Sequence, residues 1–75
     1  MKIACMQIAP ASSGVAHGLE QLDGYAAQAK AAGCDLLVTP EMYLSGYNIG
    51  AARVLELAQP ADGPNAAQVA DIARR

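Results

Sequence analysis

The sequence predicts a small α/β structure, because two short apolar runs flank a segment with helical periodicity. Residues 2–9 (KIACMQIA) and 34–39 (CDLLVT) are almost continuously apolar, which is typical of strands covered on both faces of a sheet. Between them, from about residue 17 to residue 32, leucine and alanine recur at helical spacings, which indicates an amphipathic helix. A strand, a helix and a strand in this order predict a βαβ unit with parallel strands.

Turn and cap residues set the bounds of this unit. Pro10 is expected to end the first strand, and residues 10–16 (PASSGVA) are predicted to form a loop. Gly33 occupies the position after the helix C-terminus, where a left-handed conformation is common. Pro40 ends the second strand and holds Thr39 in the extended region. The apolar stripe of the helix consists of Leu19, Leu22, Ala26 and Ala29.

Two further helices are predicted after the second strand. Residues 51–58 (AARVLELA) have a helical composition and end before Pro60, and Asn65 is a candidate N-cap for a last helix, AAQVADIARR. Two strands are too few for a stable parallel sheet of this kind. We therefore expect residues 1–75 to be one incomplete α/β domain, an open-ended piece of a larger layered structure, with no separate second domain.

Charge and hydropathy exclude several classes of partner. The net charge is −2, and no basic run is longer than Arg74-Arg75, which argues against nucleic acid binding. No apolar stretch approaches the roughly 20 residues of a membrane span. The N-terminal apolar run contains Gln7 and stops at Pro10, unlike a signal peptide, so the cytoplasm is the expected compartment.

The cysteines and the histidine do not suggest a metal or a cofactor. Cys5 and Cys34 are isolated from each other, and His17 is the one histidine, so no metal-ligand spacing occurs. Both thiols are expected to be small buried hydrophobes, and His17 is expected to lie at the helix start. No phosphate-binding glycine motif is present. A thiol redox protein is a remote alternative, because neither cysteine has a nearby resolving partner.

A lone carboxylate, Glu41, follows the second strand directly after Pro40. Ligand sites in open α/β sheets gather outside the carboxyl ends of strands. Apolar neighbours, Val38, Met42 and Leu44, are expected to surround this carboxylate. The placement favours a general base or acid. The alternative is a solvated loop glutamate that happens to follow a strand.

The block GCDLLVTPEMYLSGYN surrounds Glu41 and resembles the N-terminal catalytic motif of the nitrilase, or carbon–nitrogen hydrolase, superfamily. The opening KIACMQIAP is similar to the first strand of that family, and LAQPADGPNAAQVADIARR is similar to its next segment. Gly18 stands where the family often has asparagine, and Cys34 stands where alanine is commoner. The matching positions of the central block are Gly33, Asp35, Leu36, Leu37, Val38, Pro40, Glu41, Leu44, Gly46 and Tyr47.

The resemblance implies a four-layer α-β-β-α sandwich, of which this chain would be the N-terminal βαβ-α piece, and a Glu–Lys–Cys triad. Glu41 would be the general base, a cysteine the nucleophile, and a lysine would stabilise developing negative charge. In this family the lysine and the cysteine follow later strands, beyond residue 75. The chain's own lysines and cysteines lie in the wrong segments to replace them: Lys2, Lys30, Cys5 and Cys34.

The resemblance also bears on the substrate and on assembly. Tyr43 is a candidate substrate-binding residue, and the alternative is that it packs its loop onto the sheet. The complete protein would act on a small-molecule amide or nitrile without a cofactor, and would form homo-oligomers. The chain alone is expected to be catalytically inert. The competing hypothesis is a non-catalytic α/β piece that pairs with another chain.

Overall fold

Two parallel strands and three helices make up the part of the chain that the structure describes. The computed structural model describes residues 1–9 and 14–75. Pro10, which was expected to end the first strand, and residues 11–13 of the predicted loop lie outside these ranges. The predicted βαβ order, followed by two helices, is confirmed. The elements are β1 (Ile3–Cys5), α1 (Val15–Ala31), β2 (Leu36–Val38), α2 (Ala51–Leu57) and α3 (Pro64–Arg74).

The strands pair in parallel over three residues each, from Ile3 opposite Leu36 to Cys5 opposite Val38. Beyond the strand ends, the Met6 N–H donates to the Val38 carbonyl at 2.8 Å. Both strands are shorter than the predicted ranges, 2–9 and 34–39. The reason is that each strand is the other's ladder partner in this two-stranded sheet, so the apolar residues beyond the paired register do not belong to a strand.

A reciprocal pair of hydrogen bonds aligns the starts of the two strands. The backbone N–H of Lys2 donates to Asp35 Oδ2 at 2.8 Å, and the backbone N–H of Asp35 donates to the Lys2 carbonyl at 2.8 Å. The Lys2 ammonium group donates to the carbonyl of Ala32 just after α1. The short turn between α1 and β2 is therefore attached to the beginning of β1.

One face of the sheet is open in the described part of the chain. Alternate residues of a strand point to the same face, and the four on this face are all exposed; we call Ile3, Cys5, Leu36 and Val38 the open sheet face. On the other side, Leu37 packs against the core, and α1 contacts β2. The expectation that both faces are covered is therefore wrong for this part of the chain, because α3 packs on α1 rather than on the sheet.

The core is small and lies between α1, the sheet and α3. Its buried residues are Met6, Leu19, Leu22, Tyr43 and Ile72. The predicted stripe of α1 is confirmed, since Leu19 and Leu22 are buried and Ala26 packs against them. Within the described ranges, no helix combines the length and the apolar character needed to cross a membrane.

The helix ends differ from the predicted bounds by one or two residues. Helix α1 begins at Val15, before His17, because Gly14 is its N-cap. Gly33 has φ 76° and follows the helix as predicted. Asn65 is not the N-cap of α3: the helix begins at Pro64, whose fixed φ suits the first helical position. A Gln59 side-chain oxygen, 3.0 Å from the Asn65 N–H, accepts the hydrogen bond of a terminal amide instead.

Candidate active site at the carboxyl end of strand β2

Glu41 lies three positions beyond the end of β2, on a turn at the carboxyl edge of the sheet. Its side chain is exposed. The expected apolar surroundings are absent in the described structure, where Val38 and Met42 are each 44% exposed. The physical reason is that Val38 belongs to the open sheet face, while Leu44 turns away to pack against the core.

The chain after Pro40 folds into a compact turn, and we call residues 40–47 the Glu41 loop. The Gly46 N–H donates to the Met42 carbonyl at 2.9 Å, which closes one turn of chain just after Glu41. Gly46 is buried and has φ 95°, a backbone conformation that glycine adopts without a steric cost. Met42 also has a positive φ, 56°, in a region that residues with side chains seldom adopt. A strained residue therefore directly follows the candidate base.

Tyr43 attaches this loop to α1. The side chain is 4% exposed, and its hydroxyl lies 3.1 Å from the Gly18 carbonyl and 2.6 Å from Gln21 Oε1. The phenol donates its single proton to these two acceptors. Burial raises the pKa of Tyr43, and the nearby Tyr25 phenol raises it further. The hydroxyl is thus a neutral hydrogen-bond donor at neutral pH.

The loop passes close to the backbone of α1 at Gly18. A Cβ atom at this position would lie 3.4 Å from Leu44 Cδ2 and 4.0 Å from Tyr43 Cε2. A methyl group would thus be in van der Waals contact, whereas a longer side chain would have to displace Leu44. The closeness of Leu44 is therefore a physical reason for glycine at position 18, where the family that the sequence resembles often has asparagine.

The other residues that the sequence analysis considered differ in their burial. Tyr43 lies in the core, and its role in substrate binding stays a prediction. The side chain of Tyr47 is 66% exposed. His17 is exposed in the first turn of α1. Cys34 is partly buried, but the expectation that Cys5 is buried is wrong, because it lies on the open sheet face.

The ionic contacts of the described residues do not involve Glu41. The described part of the chain holds three salt bridges, which are Arg53–Glu56, Arg74–Asp71 and Arg75–Asp23. Lys30 donates to the carbonyl of Arg75 and is exposed. In residues 1–9 and 14–75, no group of three or more histidine, cysteine, aspartate or glutamate side chains is arranged to hold a metal ion.

Gln21 and Gly18 are the residues that sequence reasoning missed. They lie one helical turn apart on α1, so their groups can reach the same partner. The signal in the sequence that could have indicated them was the three-residue spacing of Gly18 and Gln21 next to Leu22, a member of the predicted apolar stripe. It was not decisive, because a glutamine and a glycine in a helix are compatible with an ordinary solvated face.

The comparisons with known proteins agree with the motif around Glu41. The family model described as Carbon-nitrogen hydrolase matches residues 2–75. A protein of Pseudomonas protegens described as "Hydrolase in pqqF 5'region" is 47% identical over 74 residues, which is 99% of this chain and 25% of the relative. The chain therefore spans about a quarter of the length of that curated relative. No solved structure matches this chain significantly. Because the family match extends over almost every residue, this chain belongs to the carbon–nitrogen hydrolase family.

Proposed function

We propose that this chain supplies the general base, Glu41, of an amidase- or nitrilase-like hydrolase that cleaves non-peptide carbon–nitrogen bonds. The observation that carries the proposal is the placement of Glu41, within the family match, on a compact loop at the carboxyl end of β2. Ligand sites of parallel α/β sheets lie at such ends. The exposure of the carboxylate leaves it accessible to a reacting group.

The proposed reaction is covalent hydrolysis of a small amide. Glu41 takes the proton of a cysteine thiol, and the thiolate attacks the carbonyl carbon. The amide nitrogen leaves as ammonia with that proton, and a thioester remains on the cysteine. Glu41 then deprotonates a water molecule, which cleaves the thioester to release the acid and restore the thiol. A lysine would stabilise the negative charge that develops on the carbonyl oxygen.

The cysteine and the lysine of this scheme are proposed to lie in segments equivalent to the rest of the longer relative. The complete fold would be the four-layer α-β-β-α sandwich, in which the open sheet face would pack against a second sheet. Four exposed apolar or weakly polar side chains on one face support that arrangement. Homo-oligomerisation and a cytoplasmic location belong to the same proposal.

A chimera tests the proposed role of Glu41. Residues 1–75 replace the segment that they match in the Pseudomonas protegens relative, and ammonia release is measured on a panel of small amides, nitriles and carbamoyl compounds. Glu41→Gln should lower kcat by about a hundredfold or more, the usual contribution of general base catalysis. The matched control is Glu56→Gln, which removes the carboxylate of an exposed ion pair on α2 and should leave activity unchanged.

The open sheet face favours a second candidate function, a non-catalytic module that pairs with another chain. That function does not need the carboxylate of Glu41. An active chimera whose turnover is insensitive to Glu41→Gln would contradict the catalytic proposal and favour the pairing module.

A further inference from the structure

We propose that Tyr43 is a positioning residue for Glu41, and that it acts by attaching the Glu41 loop to Gln21 and Gly18 of α1. The proposal rests on the proposed function of Glu41 as a general base. It assigns the tyrosine hydroxyl to the placement of the base rather than to contact with the substrate.

The first support is the pattern of hydrogen bonds around the loop. The Gly46–Met42 bond and the contact of Ser45 Oγ with the Gly46 carbonyl join the loop to itself. In the described ranges, the Tyr43 hydroxyl forms the hydrogen bonds that join the loop to another element. Packing of Leu44 against the core is non-directional and cannot by itself fix the orientation of the turn.

The second support is the short covalent distance between anchor and base. Two residues of chain span at most about 7 Å, so a fixed Tyr43 confines the backbone of Glu41 to a small volume. Met42, which lies between them, is held at a positive φ. Such a conformation persists where the surrounding structure imposes it. The anchor on one side of Met42 and the end of β2 on the other provide that constraint.

The third support is the chemistry of the buried hydroxyl. Phenylalanine would fill the same apolar space, but only tyrosine can donate to the Gly18 carbonyl and to Gln21. Both acceptors belong to α1, which packs on β2 and on α3. The loop is thus joined to a helix that contacts both the sheet and α3.

Amide hydrogen exchange of the 75-residue chain, followed by NMR, tests the anchor. The Gly46 amide reports closure of the loop, and the Met6 amide, bonded to Val38 across the sheet, reports the integrity of the fold. Tyr43→Phe should raise the exchange rate of Gly46 about three- to tenfold, as expected for the loss of one net hydrogen bond, while that of Met6 stays unchanged. Tyr47→Phe removes the same atom from an exposed ring and should change neither rate.

Gln21→Leu should raise the Gly46 rate less than Tyr43→Phe, and the double variant should match Tyr43→Phe alone, because both changes break one network. The anchor is overturned if Tyr43→Phe leaves Gly46 unchanged, or if it raises the Gly46 and Met6 rates equally. It is also overturned if the Gly46 amide of the unsubstituted chain already exchanges at the unprotected rate.

Kinetics of the chimera test the link to the base. Tyr43→Phe should lower kcat three- to tenfold with KM unchanged, since the base is misplaced while substrate contacts remain. If Glu41→Gln abolishes turnover and Tyr43→Phe changes neither kcat nor Gly46 exchange, the positioning role fails and the proposed function stands. If Glu41→Gln retains turnover, the proposed function fails and the positioning role fails with it, whatever the exchange rates show.

Discussion

The hydroxyl of Tyr43 lies 3.1 Å from the carbonyl oxygen of Gly18, and this contact joins positions 25 residues apart in the chain. It connects the loop after β2 to the middle of the βαβ unit, the crossover helix α1. In this structure, Tyr43 therefore joins the loop of the candidate base to α1, and its suggested role in substrate binding stays a prediction.

The buried phenol of Tyr43 makes the stability of the chain sensitive to alkali. Burial, and then the neighbouring Tyr25, raises the pKa of Tyr43 above its ordinary value of 10.0 in the folded chain. The resulting stabilisation is fully present below the unfolded pKa and is lost as the pH rises through the raised, folded one. Urea midpoints measured from about pH 9 to about pH 12 should therefore fall more steeply for the unsubstituted chain than for Tyr43→Phe. Parallel profiles would contradict this assignment.

Because Met42 has a positive φ, glycine at this position should be tolerated better than valine. The left-handed conformation costs a residue with a side chain roughly 1–2 kcal/mol. Met42→Gly removes that cost but adds backbone freedom to the unfolded chain, so the free energy of unfolding should change by no more than about 0.5 kcal/mol. Met42→Val, which is β-branched, should lower it by more than about 1 kcal/mol. Denaturant unfolding measures both changes.

A control for this series is Leu55→Val, because Leu55 is also exposed but lies inside helix α2. It should cost only a few tenths of a kcal/mol, the difference in helix propensity. Equal effects of valine at the two positions would show that the conformation of Met42 carries no strain.

The reciprocal bonds between Lys2 and Asp35 predict a structural role for this aspartate of the family motif. Asp35→Ala removes the acceptor of the Lys2 N–H at the start of the sheet and should lower stability by about 0.5–1.5 kcal/mol. Asp62→Ala, in the exposed turn before α3, is the matched control and should have a smaller effect. If both variants unfold at the unsubstituted midpoint, the Asp35 bond contributes nothing to stability.

The 75-residue chain by itself is predicted to hydrolyse no amide or nitrile, because the proposed cysteine and lysine have no counterpart in it. The purified chain and its Glu41→Gln variant should release ammonia at the same background rate. Release above background that disappears in Glu41→Gln would show that the chain contains a working site.

Most of the fold could be predicted because local patterns and tertiary packing agree in it. The stripe that includes Leu19 and Leu22 is buried where its period placed it, and Gly33 follows α1 in a left-handed conformation. Strand lengths could not be predicted, because a strand ends where its ladder partner ends, and the apolar run 2–9 contains no information on its partner. The prediction of Asn65 as the N-cap was wrong because the helix begins one residue earlier, at Pro64. The Asn65 N–H donates to the Gln59 side chain.

The candidate site could be predicted only as far as its chain position. Pro40 and the preceding strand placed Glu41 at the edge of the sheet, and the structure has it there. The surroundings of the carboxylate depend on contacts between distant segments. Val38 and Met42 are hydrophobic in the sequence but exposed in the fold, and the acceptors of the Tyr43 hydroxyl lie on a helix more than 20 residues earlier.

The measurement that tests the central claim most directly is the rate at which the chimera forms its covalent acyl-enzyme in a single turnover. Mass spectrometry of the quenched protein separates this step from binding and from product release. If Glu41 is the general base, Glu41→Gln should slow acylation by about a hundredfold or more, while Glu56→Gln keeps the unsubstituted rate. Acyl-enzyme formation at an unchanged rate in Glu41→Gln would contradict the assignment of Glu41 as the base.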